Sequence, residues 1–150
     1  MKHIRFCALF GLQLGMLAAQ SPAVDVWNPI RFLVGNWQGK VTGQPGDGTS
    51  LREYKFVLNG RFLEVRDKST YSPQAKNPKG EIHEDWGMIS WDRNRMVHVL
   101  RQFHAEGFVN QYTGEPMHDA ALRFTSESIE NTKVETRARE TYTEIGPRVY

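Results

Sequence analysis

The chain has 150 residues, of which 39% are hydrophobic and 24% charged, a balance typical of a single globular domain. The formal net charge is only +2 and no basic run follows the first five residues, which argues against nucleic acid as a partner. A single cysteine excludes an internal disulfide, so the domain depends on its core for stability.

Residues 1–23 have the layout of a secretory signal peptide. The basic start MKHIR precedes the apolar run FCALFGLQLGMLAA, and small residues suited to cleavage follow, with the cut predicted after Ala23. The apolar run is too short for a stable anchor, although an uncleaved anchor stays open as the alternative. Cleavage would remove Lys2, Arg5 and Cys7 and leave 17 basic and 17 acidic residues. We therefore expect a secreted or periplasmic protein without stable membrane insertion.

Residues 24–150 are predicted to form one all-β domain. After a single helical turn over 28–34, alternating runs rich in β-branched and aromatic residues recur at roughly the 8–12-residue spacing of a barrel or sandwich. The eight predicted strands are GNWQGKVT, TSLREYKFVL, RFLEVRDKSTY, EIHEDWGMISW, RMVHVLRQFH, GFVNQYTGE, AALRFTSE and KVETRARETYTEI. Because tight turns join nearly all of them, the sequence predicts an antiparallel up-and-down meander.

The clearest hairpin signal is Asn59-Gly60 between the second and third predicted strands. With these two residues in the turn, Tyr54 lies opposite Val65 and Phe56 opposite Leu63 on one apolar face. The other face then pairs opposite charges across the strands. A slip of one residue would destroy both patterns, so the register is well defined.

The next three strands are aligned by predicted two-residue turns at Arg93-Asn94 and Ala105-Glu106. Their more apolar face is predicted to point inward. That face holds Ile82, Glu84, Trp86, Met88, Val97, Val99, Arg101, Phe103, Phe108, Asn110 and Tyr112. The outward face holds His83, Asp85, Ile89, His98, Gln102, Val109 and Gln111.

An inward Arg101 beside Glu84 and Trp86 has two interpretations. Its guanidinium could grip a carboxylate or another acidic group of a ligand in a mostly apolar cavity, with Glu84 and Asn110 orienting it. Alternatively, Glu84 and Tyr112 satisfy Arg101 inside a filled barrel, because small eight-stranded barrels are often filled by side chains. Both interpretations stay open.

Metal binding and catalysis find little support in the sequence. His83 and His98, predicted on adjacent strands facing outward, have no third fixed ligand, so we expect no metal site. The chain has no G-x-S-x-G and no H-E-x-x-H motif, and its only cysteine lies in the predicted signal peptide. We therefore expect a protein that is not an enzyme.

Gly35-Asn36-Trp37 opens the first predicted strand after a short helical turn, and it resembles the G-x-W signature of the calycin superfamily, which includes lipocalins. The longer pattern GNWQGKV, with LNGRFLEVRD and EDWG, is similar to nitrobindin-like haem-binding barrels and to related bacterial lipocalin-like families of unknown function. The resemblance covers about residues 28–146 and implies a barrel in which Trp37 closes one end. Nitrobindin-like barrels commonly have more strands than the eight predicted here, so a C-terminal hairpin could be lacking. The exposed edge strand would then favour a homodimer.

The resemblance also implies haem binding through a histidine near the C-terminal end of the barrel. No histidine follows His118 in this sequence, so we expect no cofactor, with haem as the alternative. The preferred hypothesis is an exported protein that binds a small hydrophobic or amphipathic ligand; a filled barrel acting only through its surface is the third. The expected ligand-binding residues are Trp37, Tyr54, Phe56, Glu84, Trp86, Arg101, Phe103, Phe108, Asn110 and Tyr112.

Overall fold

The structure is a computed structural model that describes residues 24–117, 121–133, 136–144 and 146. The predicted signal peptide, residues 1–23, lies outside the described residues, and so does His118. Within the described ranges, no helix is long and apolar enough to cross a membrane.

Eight strands follow a short 3₁₀ helix, Asn28–Leu33, which confirms the predicted helical turn. They are β1 (Gly35–Gly43), β2 (Gly46–Val57), β3 (Phe62–Tyr71), β4 (Glu81–Asp92), β5 (Val97–His104), β6 (Val109–Met117), β7 (Ala121–Glu130) and β8 (Arg139–Thr143). Each strand pairs antiparallel with its neighbours in sequence, in the order β1 to β8. The predicted all-β, up-and-down, eight-stranded meander is confirmed, and its sheet curls into a half-barrel.

The hydrophobic core lies on the concave face of this sheet. Because successive residues of a strand point to opposite faces, every second residue contributes to the core. Its buried side chains are Ile30, Leu33, Tyr54, Leu63, Val65, Ile89, Leu100, Tyr112, Leu122, Phe124 and Tyr142. The contribution of the 3₁₀ helix, Ile30 and Leu33, is completely buried, so this helix is packed into the half-barrel rather than lying on its surface.

The hairpin between β2 and β3 has the predicted register. Tyr54 pairs with Val65 and Phe56 with Leu63. Asn59 has a φ of 58° and the following glycine a φ of 74°, the left-handed conformations that a tight hairpin turn requires. Local turn chemistry and hydrophobic alternation therefore agree at this position.

The turn between β4 and β5 is longer than predicted. Asp92 pairs with Val97, so four residues form the turn instead of two. The Asp92 carboxylate accepts hydrogen bonds from the backbone N–H groups of Asn94 and Arg95, at 3.0 and 3.1 Å, and stabilises the longer turn. Two extra residues do not change which residues of β4 and β5 share a face, and this part of the prediction is confirmed.

The turn between β5 and β6 contains three residues, Ala105–Gly107, rather than two. Gly107 has a φ of 92°, which allows the extra residue in the loop. The register of β6 is therefore shifted by one residue, and Asn110 lies opposite Gln102 rather than Arg101. A shift of one residue moves side chains to the other face of the sheet relative to β5.

The inward and outward faces of β4 and β5 are the reverse of the prediction. Gly87 and Leu100 face the core, whereas Trp86 and Arg101 face outward. A Cβ atom on Gly87 would lie 2.8 Å from Cγ1 of Val65, so the core at this position has room only for glycine. The prediction took the more apolar face as the inward one. This failed because large aromatic side chains can remain half-exposed on an outer face.

Candidate functional site

The half-barrel has one sealed end. Trp27, just before the 3₁₀ helix, packs against Phe56 and His98 with ring centroids 5.4 and 5.6 Å apart. The Nε2–H group of His98 donates to the backbone carbonyl of Val26 at 2.9 Å, and burial lowers the pKa of its imidazole. The indole N–H of Trp37 donates to the Leu33 carbonyl at 2.6 Å and ties β1 to the helix, but Trp37 pairs with Arg52 and so lies towards the open end rather than at the sealed one.

At the opposite, open end the concave face is polar. The Arg52 guanidinium donates to the buried Asp67 carboxylate, with Nε 2.7 Å from Oδ1. The hydroxyls of Ser50 and Ser69 donate to the same carboxylate at 2.7 and 3.1 Å. A second N–H of Arg52 lies 3.3 Å from the Tyr142 hydroxyl, which joins β2 to β8 across the interior. This network holds a cation and an anion rigidly at the mouth of the half-barrel.

Asp85 and Gln102 lie beside this network on β4 and β5. The Gln102 side-chain N–H donates to Oδ1 of Asp85 at 2.8 Å. Burial raises the pKa of the Asp85 carboxyl to about 6, because its charged form loses hydration. The side-chain oxygens of Gln102 and Asn110 are buried and have no hydrogen-bond donor among the described residues. The inner surface thus offers acceptors for a ligand that carries donors.

His104 ends β5 on the same inner surface. Its ring stacks on Phe108 with centroids 3.9 Å apart. Its Nε2 is 3.1 Å from the side-chain nitrogen of Asn110, which also donates to the Tyr112 hydroxyl at 2.6 Å, so Nε2 acts as the acceptor. Burial lowers the pKa of His104, which favours the neutral form of its imidazole.

Six of the ten predicted site residues do not lie on the outer face. Tyr54, Asn110 and Tyr112 are buried on the concave face, and Trp37 and Phe56 are partly buried against the core. Phe108, predicted on the inward wall, lies instead just after the β5–β6 loop and stacks on His104.

The other four predicted site residues, Glu84, Trp86, Arg101 and Phe103, lie on the outer face, where they cannot line the barrel interior. The prediction that they point inward is therefore wrong. Glu84 pairs with Lys68 at 2.7 Å rather than with Arg101. The register shift after β5 also separates them from Asn110 and Tyr112.

Residues of β4 and β5 predicted to face outward lie on the inner surface instead. Ile89 and His98 are completely buried, and Asp85 and Gln102 belong to the polar cluster at the open end. Sequence reasoning also missed Arg52 and Asp67 as a site. The signal was present in the hairpin register, since both fall on the same face as Tyr54 and Val65.

Cavity volumes show how full the interior is. A cavity among core residues, between Leu33, Leu100 and Tyr142 among others, measures about 10 Å³, room for about one water. A second, open cavity of about 230 Å³ lies on the inner surface of β1 to β3, beside Trp37 and Arg52. Among the described residues, no group of three or more His, Cys, Asp or Glu side chains could hold a metal ion.

The outer face has a larger groove of about 690 Å³. Two rows of outward side chains flank it. They are Leu51, Lys68, Glu84 and Ala105 on one side, and Glu53, Arg66, Trp86 and Phe103 on the other. Its lining also includes Arg52, Asp67, Asp85 and His104, which lie between the two rows. Because successive residues of a strand point to opposite faces, these four residues contribute backbone to the floor of the groove. Three of the residues predicted as a ligand site, Glu84, Trp86 and Phe103, therefore do lie together, but on the opposite face.

A half-barrel of sequentially paired antiparallel strands, with one sealed end and one polar, open end, defines an up-and-down β-barrel protein. The family described as "THAP4-like, heme-binding beta-barrel domain" matches residues 26–148. The protein belongs to this THAP4-like haem-binding β-barrel family, which confirms the resemblance to nitrobindin-like barrels. No curated protein and no solved structure matches the chain.

Proposed function

We propose that this protein binds haem at the open end of its half-barrel and has no catalytic role. The observation that carries the proposal is the family match over residues 26–148. Haem therefore replaces an unspecified amphipathic molecule as the first ligand to test.

The chemistry of the inner surface suits haem. His104 offers a neutral imidazole, the form that ligates a metal, on a surface that also carries the aromatic ring of Phe108. Arg52 supplies a cation suited to the carboxylates of a porphyrin. Binding through Nε2 of His104 would replace its hydrogen bond with Asn110. When bound, haem would supply an iron centre for small ligands or electron transfer.

The volumes restrict where haem can lie. The deep interior is filled, and the open cavity of about 230 Å³ is below the roughly 300–1,000 Å³ of typical ligand pockets. We therefore infer that haem binds at the mouth, partly exposed to solvent. Such a site depends on the neighbouring side chains for orientation more than on enclosure.

Absorbance titration with hemin tests the proposal. A saturable Soret shift is expected for the wild type, and His104→Ala should weaken binding at least about tenfold, the loss of one strong contact. His83→Ala is the matched control, because His83 lies at the same end but is held between Glu81 and Glu106. A wild type without a Soret shift would refute haem binding. Equal hemin affinities of His104→Ala and His83→Ala would refute the role of His104 but not haem binding itself.

A second candidate ligand is an amphipathic molecule with an acidic group. The observation that favours it is Arg52, which takes on the concave face the place predicted for Arg101. Native mass spectrometry of the purified protein distinguishes the candidates, because a retained ligand adds its own mass. A bare protein mass together with no hemin binding would support the filled barrel.

Export and self-association complete the proposal. We infer that residues 1–23 direct export, so the mature protein from the exported fraction should begin at Val24, which intact mass measures directly. Within the described residues, β1 and β8 each pair with one neighbouring strand only, and a second copy could pair with either edge. A monomer by sedimentation at high concentration would refute such a dimer.

A further inference from the structure

We propose that the outer groove is a binding site for neutral oligosaccharides, separate from the haem site on the concave face. This site needs no haem and no contribution from the barrel interior. Whether or not the groove binds oligosaccharides, the proposal of haem binding is therefore unaffected.

The groove is long and shallow. Its lining residues come from five consecutive strands, β1 to β5, so it runs across the sheet for roughly 19 Å at about 4.8 Å for each strand spacing. Its volume of about 690 Å³ falls inside the range of about 300–1,000 Å³ typical of ligand pockets. The shape suits an extended, ribbon-like ligand of several rings.

Two aromatic rings form a platform in the groove. Trp86 and Phe103 are 39% and 44% exposed, with ring centroids 5.6 Å apart and planes inclined by 34°. The indole N–H of Trp86 donates to the Glu64 carboxylate at 2.7 Å, which fixes the ring. The electron-rich face of an aromatic ring attracts the electropositive C–H groups of a sugar ring. Leu51 and Ile82, both more than half exposed, extend the apolar surface on the same face.

The charges around the platform balance and are already paired. Lys68 contacts Glu84 at 2.7 Å, and Arg66 contacts Glu64 at 2.9 Å. An anionic ligand would have to compete with these carboxylates for the two cations. A neutral polyol would not, because each ion pair keeps unused donors and acceptors for hydroxyl groups. The charge pattern therefore favours a neutral, hydroxyl-rich ligand.

A peptide fits the groove less well than an oligosaccharide. The floor is the interior of a sheet, whose backbone N–H and C=O groups are already used in strand pairing. A peptide lying across the strands could not add as a further strand, and most of its own backbone groups would lack partners. A sugar chain needs only side-chain partners and a ring to stack on.

The test uses the protein labelled with ¹⁵N and three probes, cellohexaose, maltohexaose and chitohexaose, each titrated to millimolar concentration. The four tryptophans give four indole N–H signals in NMR spectra, and Trp86→Phe assigns the one from the groove. At least one probe is expected to shift the Trp86 signal in a saturable manner. Trp86→Ala should then weaken binding at least about tenfold, and Phe103→Ala by a smaller factor.

Leu58→Ala is the matched control, because Leu58 is an exposed apolar residue at the β2–β3 turn, outside the groove. It should leave the affinity unchanged. If the NMR signals of Trp86→Ala lack the dispersion of a folded protein, Phe103→Ala carries the comparison. Three results would each overturn the proposal: no shift with any probe, a shift confined to Trp37, or full affinity in folded variants that lack an aromatic ring of the platform.

Discussion

Replacing Asp85 by asparagine should stabilise the protein at alkaline pH, relative to the wild type. At acidic pH the two proteins should differ little in stability. Burial raises the pKa of this carboxyl from 3.8 to about 6, so folding disfavours its ionised form. The stability that Asp85 contributes is complete below pH 3.8 and is lost as the pH rises through 6. Asparagine keeps an oxygen that can accept the hydrogen bond from Gln102 and carries no charge.

The magnitude follows from the two pKa values. At about 1.4 kcal/mol for each pH unit, a rise from 3.8 to about 6 corresponds to about 3 kcal/mol above pH 7. Because Asp85 is only partly buried, solvent screening reduces the expected gain to about 1–2 kcal/mol. Near pH 4 the gain should be close to zero, since the carboxyl is then neutral in the folded protein.

Urea unfolding of both proteins at pH 4.5 and pH 8 measures this difference. Asp92→Asn is the control, because hydrogen bonds from Arg95 lower the pKa of the exposed Asp92 carboxyl, and its loss should not stabilise the protein at pH 8. A gain for Asp85→Asn that is equal at the two pH values would refute the argument from burial. A loss at pH 8 would show that the ionised carboxylate is stabilising.

Two further substitutions test the faces of the sheet and its buried ion pair. Gly87→Ala should destabilise the fold by about 1–3 kcal/mol, because the new Cβ would also lie 3.0 Å from the backbone oxygen of Arg101. Gly39→Ala, with open space around it, should cost far less in the same urea titration, and equal costs would contradict the inward placement of Gly87. Arg52→Ala should cost about 2–4 kcal/mol, because it leaves the buried Asp67 carboxylate without its cation, whereas the exposed Arg101→Ala should change stability by less than about 0.5 kcal/mol. Thermal melting compares Arg52→Ala with Arg101→Ala. Similar melting temperatures would contradict the placement of Arg52 inside and Arg101 outside.

Local patterns predicted the fold well. Strand alternation and the Asn59-Gly60 turn set the β2–β3 register, and the eight strands follow from the spacing of turn signals. Turn lengths were less accessible, because a two-residue and a three-residue turn at 105–107 differ only in whether Gly107 belongs to the loop. That single residue moved β6 to the other face relative to Arg101.

The site could be predicted only in part, because it depends on which face is buried. Trp86 and Phe103 are more apolar than Asp85 and Gln102, and a sum over side chains therefore selected the wrong face. Gly87 carries no hydrophobic signal at all, yet its position decides how closely β3 and β4 can pack onto the core. Contacts between distant strands, which determine such packing, are not written in local periodicity.

The strictly sequential order of the strands has a consequence for how the chain folds. Since each strand pairs with its neighbours along the chain, most backbone pairings close short loops and can form hairpin by hairpin. Arg52 to Tyr142 and His98 to Val26 are different, because these hydrogen bonds join residues 90 and 72 positions apart. We expect them to form late, so that the sheet grows from one hairpin to the next before it curls, and its polar mouth is completed only when β8 arrives.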